Sequence, residues 1–265
     1  MSIFGDDFDE PTPTPKPDSN IPTPLEPTPA PSEPTPAPIA TPPPTPESTP
    51  TPAPKPIDVN ELTQGDGQQD GFYYVDLGLS VKWATCNVGA DSASDEGKLF
   101  QFGRVDGYRY NDSSNQFRTN AQNKQDTGNG YIPKTASGKT YNKGETLQPA
   151  DDAANVNMGG VWKMPTENQL KELFNQTTRE NETVNGIKGM MFTSKKNGKQ
   201  LFIPFGGNWY GDFDALGSWF NMWSSQVHES DPDIAYNLHC GANRSCSVGL
   251  QNRVYAYSVR GVFKK

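Results

Sequence analysis

Twenty of the chain's 25 prolines fall between Pro11 and Pro56, in a run of Thr-Pro, Ala-Pro and Glu-Pro repeats. Proline fixes φ and carries no backbone N–H, so this stretch is barred from helix and from the interior of a sheet. It reads as an extended polyproline-type spacer, reaching roughly 140 Å at about 3.1 Å per residue. The alternative, a ligand for a proline-recognising module, is weakened by the lack of flanking arginines. Folding is left to the residues beyond Pro56. Residues 57–70 are polar, contain glycine and read as a flexible hinge, and residues 71–265 are long enough to bury a full core. Ahead of the spacer, "MSIFGDDFDE" sets Ile3, Phe4 and Phe8 among acidic residues. That reads either as a frayed terminus or as a short docking peptide that orders on a partner.

The net charge of −8 argues against a nucleic-acid or anionic-membrane partner, since both require a basic face. No apolar run approaches the length of a membrane-spanning helix, so no membrane insertion is expected. The first ten residues lack the basic and apolar regions of a secretory signal. Synthesis in a reducing cytoplasm is the expectation, and three cysteines do not make a disulfide framework.

Within 71–265 the elements run strands, helices, then mostly strands, which places the chain in the α+β class. In "GFYYVDLGLSVKWATCNVGA" (71–90), Tyr73, Val75 and Leu77 alternate, as do Val81, Trp83 and Thr85, with Gly78 at the join. This is a strand–turn–strand pattern. Cys86 behind it reads as a small buried hydrophobe. Residues 103–149 are rich in Asn, Gly, Ser, Thr and Lys and read as a long surface insertion. Residues 149–177 predict two helices. The second is marked by a capping box from Thr166 to Gln169 and an apolar stripe of Leu170, Leu173 and Phe174. "GMMFTSKKNGKQLFIPF" (189–205) reads as a hairpin turning at Asn197-Gly198, and "GNWYGDFDALGSWFNMWSS" (207–225) as an aromatic loop entering a strand.

The C-terminal stretch concentrates the residue types that do chemistry. His228 and His239 are the only histidines, and Cys240 and Cys246 are two of three cysteines. Their spacing fits no usual zinc pattern, and His239 and Cys240, as strand neighbours, point to opposite faces. No metal site is expected, and nothing in the sequence indicates a structural calcium ion. A Cys240–Cys246 disulfide across a hairpin is geometrically allowed, but a chain made in a reducing cytoplasm is expected to keep both as thiols. Ser224, Ser225 and His228 lack a surrounding oxyanion-loop glycine motif. The pairs Asp212 and Asp214, and Asp231 and Asp233, sit in loops, where solvated turn residues are ordinary. Gly159-Gly160 lacks the lysine and hydroxyl of a phosphate loop. No enzyme is expected, and no cofactor.

One bias does single out this stretch. Across residues 224–259, Lys, Met and Trp are absent, and Glu and Gln occur at only 3 of 36 positions: Gln226, Glu229 and Gln251. In residues 161–200 the same five types fill 17 of 40 positions. None of the five has a codon ending in a pyrimidine. A strand-rich composition accounts for losing lysine and glutamate, but less easily for the crowding of His, Cys, Arg, Asn, Gly and Tyr.

"YVDLGLSVKWATCNVGA" (74–90), "DAANVNMGGVWKMPTENQLKELF" (152–174), "MWSS" (222–225), "AYNL" (235–238) and "RVYAYSVRGV" (253–262) resemble the bacterial major paralogous domain family. That resemblance spans roughly 72–263 and implies a C-type-lectin-like fold related to the formylglycine-generating-enzyme scaffold, with two helices, short antiparallel strands and long loops. The C-terminal stretch is similar to the variable regions of proteins diversified by retroelements. There, template adenines are copied at random while the codons keep their final pyrimidine. Gln226, Glu229 and Gln251 would then be unvaried positions, and Ala256 and Tyr257 depart from the usual Gly and Phe of the family's ending.

The resemblance implies a non-enzymatic ligand- or receptor-binding protein with a variable region of about 219–260. Its binding positions would be His228, Ser230, Asp231, Asp233, Asn237, His239, Arg244, Ser245, Cys246, Ser247, Gly249, Leu250, Asn252, Val254 and Tyr255. Trp223, Ser224, Ser225, Tyr236, Leu238, Arg253, Ser258, Val259 and Arg260 would form the scaffold. Strand alternation sets Asn237 and His239 on the ligand side, opposite Tyr236, Leu238 and Cys240. The implied partner is a protein or carbohydrate on a cell surface, with a virion or assembly partner for residues 1–10. A phage tail fibre or tail tip is the implied setting, with display on a cell surface the less favoured one. The alternatives are a host lectin-like domain with a fixed ligand and, less favoured, a formylglycine-generating oxidase.

Overall fold

The computed structural model describes residues 57–110 and 134–265. The acidic stretch 1–10, the spacer 11–56 and the core of the polar insertion, 111–133, lie outside the described residues. The rest is mostly β-sheet with few helices, an α+β or mainly β arrangement.

The segment expected to be a hinge is instead an ordered part of the domain. Asp58 caps helix α1 (Val59–Gln64) by accepting the Asn60 amide at 2.8 Å. Val59 and Leu62 pack on Val184, Met191 and Phe202. The helix stops at Gly65, whose left-handed φ of 52° and approach to the Tyr74 carbonyl leave no room for a Cβ. Strand β1 (Gly67–Gln69) then pairs with β2 (Phe72–Val75). Two apolar contacts and one cap are enough to order a segment that reads as polar.

Strand β3 (Val81–Asn87) follows the Gly78 turn and pairs with β2, and the last strand, β14 (Arg260–Lys264), pairs with β3. The first sheet therefore runs β1-β2-β3-β14. Strand β4 (Leu99–Gln101) belongs to a different sheet, whose other strands all come from the C-terminal part of the chain. Residues 134–148 are not a free surface loop. Tyr141 and Leu147 are buried, and the Tyr141 hydroxyl donates to Asp151 at 2.7 Å.

A 3-10 turn (Pro149–Asp151) and helix α2 (Ala153–Met158) come next. Helix α3 (Glu167–Gln176) carries the expected capping box: the Thr166 hydroxyl accepts the Gln169 amide and the Gln169 side chain accepts the Thr166 amide. Its Leu170 and Leu173 are fully buried, while Phe174 is only partly so.

Strands β5 (Thr177–Val184), β6 (Ile187–Ser194) and β7 (Gln200–Pro204) make a three-stranded antiparallel sheet. Asn185 and Gly186 join β5 to β6 with φ of 50° and 80°, the geometry of a tight two-residue hairpin turn. The β6–β7 hairpin turns at Asn197-Gly198, as the sequence implies, with Gly198 at φ 74°.

The largest sheet has seven strands. Besides β4 it contains β8 (Gly206–Trp209), β9 (Phe213–Leu216), β10 (Trp219–Val227), β11 (Ile234–Gly241), β12 (Cys246–Asn252) and β13 (Ala256–Ser258). Their order is β12-β11-β10-β13-β8-β9, with β4 alongside β13. One core joins α3, β3, β6, β7 and one face of β10 and β11 through Leu170, Phe192, Ile203, Phe220, Met222 and Leu238. A second joins α2 to β4 and β10 around Phe102, Trp162 and Trp223. Among the described residues no helix is long and apolar enough to cross a membrane.

Arg260 ties two of the sheets together. Its guanidinium is fully buried and donates to Asn87 Oδ1 at 2.9 Å and to the carbonyls of Ala84 (3.1 Å), Thr85 (2.5 Å) and Phe202 (3.2 Å). Burial pulls its pKa below the ordinary arginine value. These four acceptors are all neutral, so carbonyl and amide dipoles in place of a carboxylate compensate the charge.

Candidate functional site

Strand β11 lies between β10 and β12, and strict register decides which side chains share a face. Asn221, His239 and Ser247 form one cross-strand row, and Trp223, Asn237 and Gly249 the next. These project to one side. Phe220, Met222, Leu238, Cys240 and Val248 project to the other, onto α3 and the core. Successive residues alternate faces, so this division follows from the backbone alone.

The two outward rows are not equally open. Trp223 is fully buried beneath Tyr257 and Phe102, with ring centroids 4.4 and 5.6 Å away, and its indole N–H donates to the Phe100 carbonyl at 3.0 Å. Asn237 beside it is therefore covered as well, at 4% exposure, and donates to Asn221 Oδ1 at 3.2 Å. Asn237 faces the expected side but is not available to a ligand. His239 is half-buried with its ring edge-on to Trp219 at 5.0 Å. Burial lowers its pKa and so favours the neutral imidazole.

The other expected binding positions divide into groups. His228, Ser230, Asp231 and Asp233 occupy the loop joining β10 to β11. His228 Nδ1 lies 3.2 Å from the Ser230 hydroxyl, and Asp231 accepts the Asp233 amide at 2.9 Å. Arg244 and Ser245 are exposed in the β11–β12 turn, at the opposite end of β11, roughly 25 Å away at about 3.3 Å per residue. Arg244 holds a left-handed backbone, φ 66°. Ser247 and Gly249 lie on the open sheet face, whereas Leu250 lies on the helix side, 45% exposed. Asn252 ends β12 and Tyr255 follows in the turn beyond it, and both are half-buried.

Two positions need correction beyond Asn237. Val254 is 1% exposed in the core, its amide held by Asn252 Oδ1 at 3.0 Å and its carbonyl by the Gln101 side chain at 2.9 Å. It supports the site from beneath. Cys246 is not a free surface thiol: it stands directly opposite Cys240, Cα–Cα 4.0 Å, and the two form a disulfide. The expectation of two thiols rests on the compartment, whereas strand register brings the sulfurs together.

The residues named as scaffold are placed as follows. Trp223, Ser224, Ser225, Leu238, Arg253, Ser258, Val259 and Arg260 are buried, and Tyr236 is half-buried against His228. Arg253 clamps the β10–β11 loop by donating to the Pro232 carbonyl at 2.9 Å while lying over the Phe102 ring.

A groove of about 620 Å³ opens on the outward face. One wall is the β8–β9 hairpin with Asn208, Tyr210, Asp212, Phe213 and Asp214; Trp219 and Asn221 of β10, with Gln251, Tyr255 and Tyr257, complete it. Of the expected binding residues only Tyr255 lines it. It stacks on Tyr210 at 4.3 Å with the ring planes 13° apart, joining the C-terminal segment to the hairpin wall. Gly207 sets that wall: with φ 70°, a Cβ there would lie 2.5 Å from the Asp214 carbonyl. The sequence signal is the aromatic density of residues 207–225, which reads only as a loop entering a strand.

No family model, curated protein or solved structure matches the chain. Among the described residues no group of three or more His, Cys, Asp or Glu could hold a metal ion.

The layout predicts a sharp contrast in tolerance. Replacing Ser230, Ser245, Ser247 or Leu250 with asparagine should change stability by no more than about 0.5 kcal/mol in urea unfolding. Val254→Ala should cost about 2 kcal/mol, because it empties part of the core.

Proposed function

We propose that the chain is a non-enzymatic binding protein: a C-type-lectin-like domain whose C-terminal sheet face and turns are diversified by a retroelement. The setting that fits best is the receptor-binding tip of a phage tail, with a protein or carbohydrate of the host surface as ligand. One observation carries the reading. The segment drawn from the restricted alphabet, residues 224–259, combines a buried frame with exposed positions whose side chains carry no part of the core. Ser230, Ser245, Ser247 and Leu250 are exposed while their neighbours Ala235, Leu238 and Val254 are buried. A surface built to vary requires this separation, because a changed side chain must leave the frame's packing intact.

Sequencing the DNA beside the gene tests the proposal. The expected result is a near-repeat of the codons for residues 220–262, differing only where the template has adenine, close to a reverse transcriptase gene. Absence of that repeat would sink the diversified reading.

A further inference from the structure

Strand β12 ends the seven-stranded sheet, with β11 on one side and, among the described residues, no strand on the other. The phase of its hydrogen bonds is set at the turn, where the Gly241 amide donates to the Ser245 carbonyl at 2.8 Å. Bonded and unbonded pairs alternate along an antiparallel ladder. Cys240 and Cys246 are therefore an unbonded pair, and their Cα atoms stand 4.0 Å apart, in keeping with the closer of the two spacings. At the other end the Arg253 amide donates to the Asp233 carbonyl at 3.0 Å, in the same phase. The backbone groups of Ser247, Gly249 and Gln251 are thus spent on β11, while those of Cys246, Val248, Leu250 and Asn252 point away from it. Asn252 is satisfied locally: its amide donates to Gln251 Oε1 at 3.0 Å and its carbonyl accepts the Tyr255 amide at 3.2 Å. For the outward N–H and C=O of Cys246, Val248 and Leu250 the described residues supply no partner.

An edge of this kind pairs with another chain unless something prevents it. The other strands that end a sheet are protected. β5 carries Arg179, Glu180 and Glu182, β9 carries Asp214, β14 carries Lys264, β7 closes on Pro204, and β1 has only three residues. β12, "CSVGLQN", has seven residues, no charge, no proline and no break in its register with β11. It is also self-complementary. Two copies running antiparallel about a two-fold axis at Val248 set Val248 against Val248 and Cys246 against Leu250. Each of these pairs is of the bonded kind, so every unspent group on both strands finds a partner. On the helix side the seam becomes an apolar row of Cys246, Val248 and Leu250 from both copies, and it covers Leu250, now 45% exposed. A foreign strand would satisfy the backbone alone. A second copy also matches side chain to side chain, and the isologous pair closes on itself and leaves neither edge open.

We infer that β12 pairs in this way with the β12 of a second copy, joining two seven-stranded sheets into one. The pairing rests on the fold and not on the proposed binding function. It does bear on that function: Ser247 and Gly249 of the two copies come side by side on the outward face, so a multivalent target meets two sites on one continuous surface.

Sedimentation equilibrium of the full chain from about 1 μM to about 500 μM tests it, a range suited to a small seam. The mass should rise from that of one chain to that of two. Amide exchange followed by NMR should slow at least about tenfold at Val248 and Leu250 in the concentrated sample, with Ser247 and Gly249, already bonded to β11, unchanged. Leu250→Lys sets a charge in the apolar row, and Val248→Pro removes the central outward N–H while sparing the bonds to β11; each should keep the chain monomeric. Val156→Lys removes a similarly exposed apolar side chain from α2 and should leave association unchanged. A chain that stays monomeric throughout, its edge left to a foreign strand, overturns the inference. So does a dimer that survives Leu250→Lys, or one that Val156→Lys abolishes equally. Protection of Val248 and Leu250 that is the same at both concentrations would mean that another segment of the chain covers the edge, and overturns it too. Any of these failures leaves the diversified reading standing, since that rests on the flanking DNA. A missing template repeat, in turn, leaves the β12 edge as it is.

Discussion

Arg260→Met should destabilise the domain by about 4 kcal/mol in urea unfolding, with the midpoint shifted and the slope retained. The side chains are similar in volume, so the effect reports the lost hydrogen bonds net of the buried charge, with little change in packing. Four buried acceptors, Asn87 Oδ1 and the carbonyls of Ala84, Thr85 and Phe202, lose their donor together. An orphaned buried acceptor costs about 1–3 kcal/mol, so even the low end for each reaches this total. Arg260→Lys keeps the charge but lacks the planar fork that reaches several acceptors, and should recover less than half the loss. A cost below about 1 kcal/mol for Arg260→Met would mean that water satisfies these groups instead.

Trp223→Ala should cost about 3–5 kcal/mol by the same measurement, the range for emptying a large aromatic site. The ring is fully buried, and its loss also frees the Phe100 carbonyl. Trp223→Phe keeps most of the contact and should cost less than half as much. Tyr257 rests on Trp223 and Tyr255 packs on Tyr257, with centroids 5.6 Å apart. The Ala variant should therefore also weaken any ligand of the groove at temperatures where the protein remains folded.

Local chemistry is the legible part of this fold. The Thr166–Gln169 capping box and the Asn197-Gly198 turn stand in the structure where their residues imply. The β5–β6 hairpin is not legible, because "TTRENETV" is polar at almost every position and shows no alternation; only the Asn185-Gly186 pair marks it. Helix α1 is hidden because six residues with two modest apolar anchors give no periodic signal. The site is half legible. A restricted set of residue types marks the C-terminal segment, but the opposite groove wall, at Tyr210 to Asp214, is set in place by pairing between strands distant in sequence. Which expected positions are covered is also hidden. Asn237 is buried by Trp223 and Asn221 across a strand boundary, and Val254 by the turn that leaves β12.

The left-handed backbone at Arg244 carries a consequence for any sequence placed at the β11–β12 tip. A residue with a Cβ gives up about 1–2 kcal/mol in that conformation, and β-branched side chains suffer most. Glycine and asparagine enter with the least strain. Under the proposed diversification, a valine, isoleucine or threonine drawn at position 244 would start with that strain before any target is met. Such variants should be less stable than those carrying glycine or asparagine there.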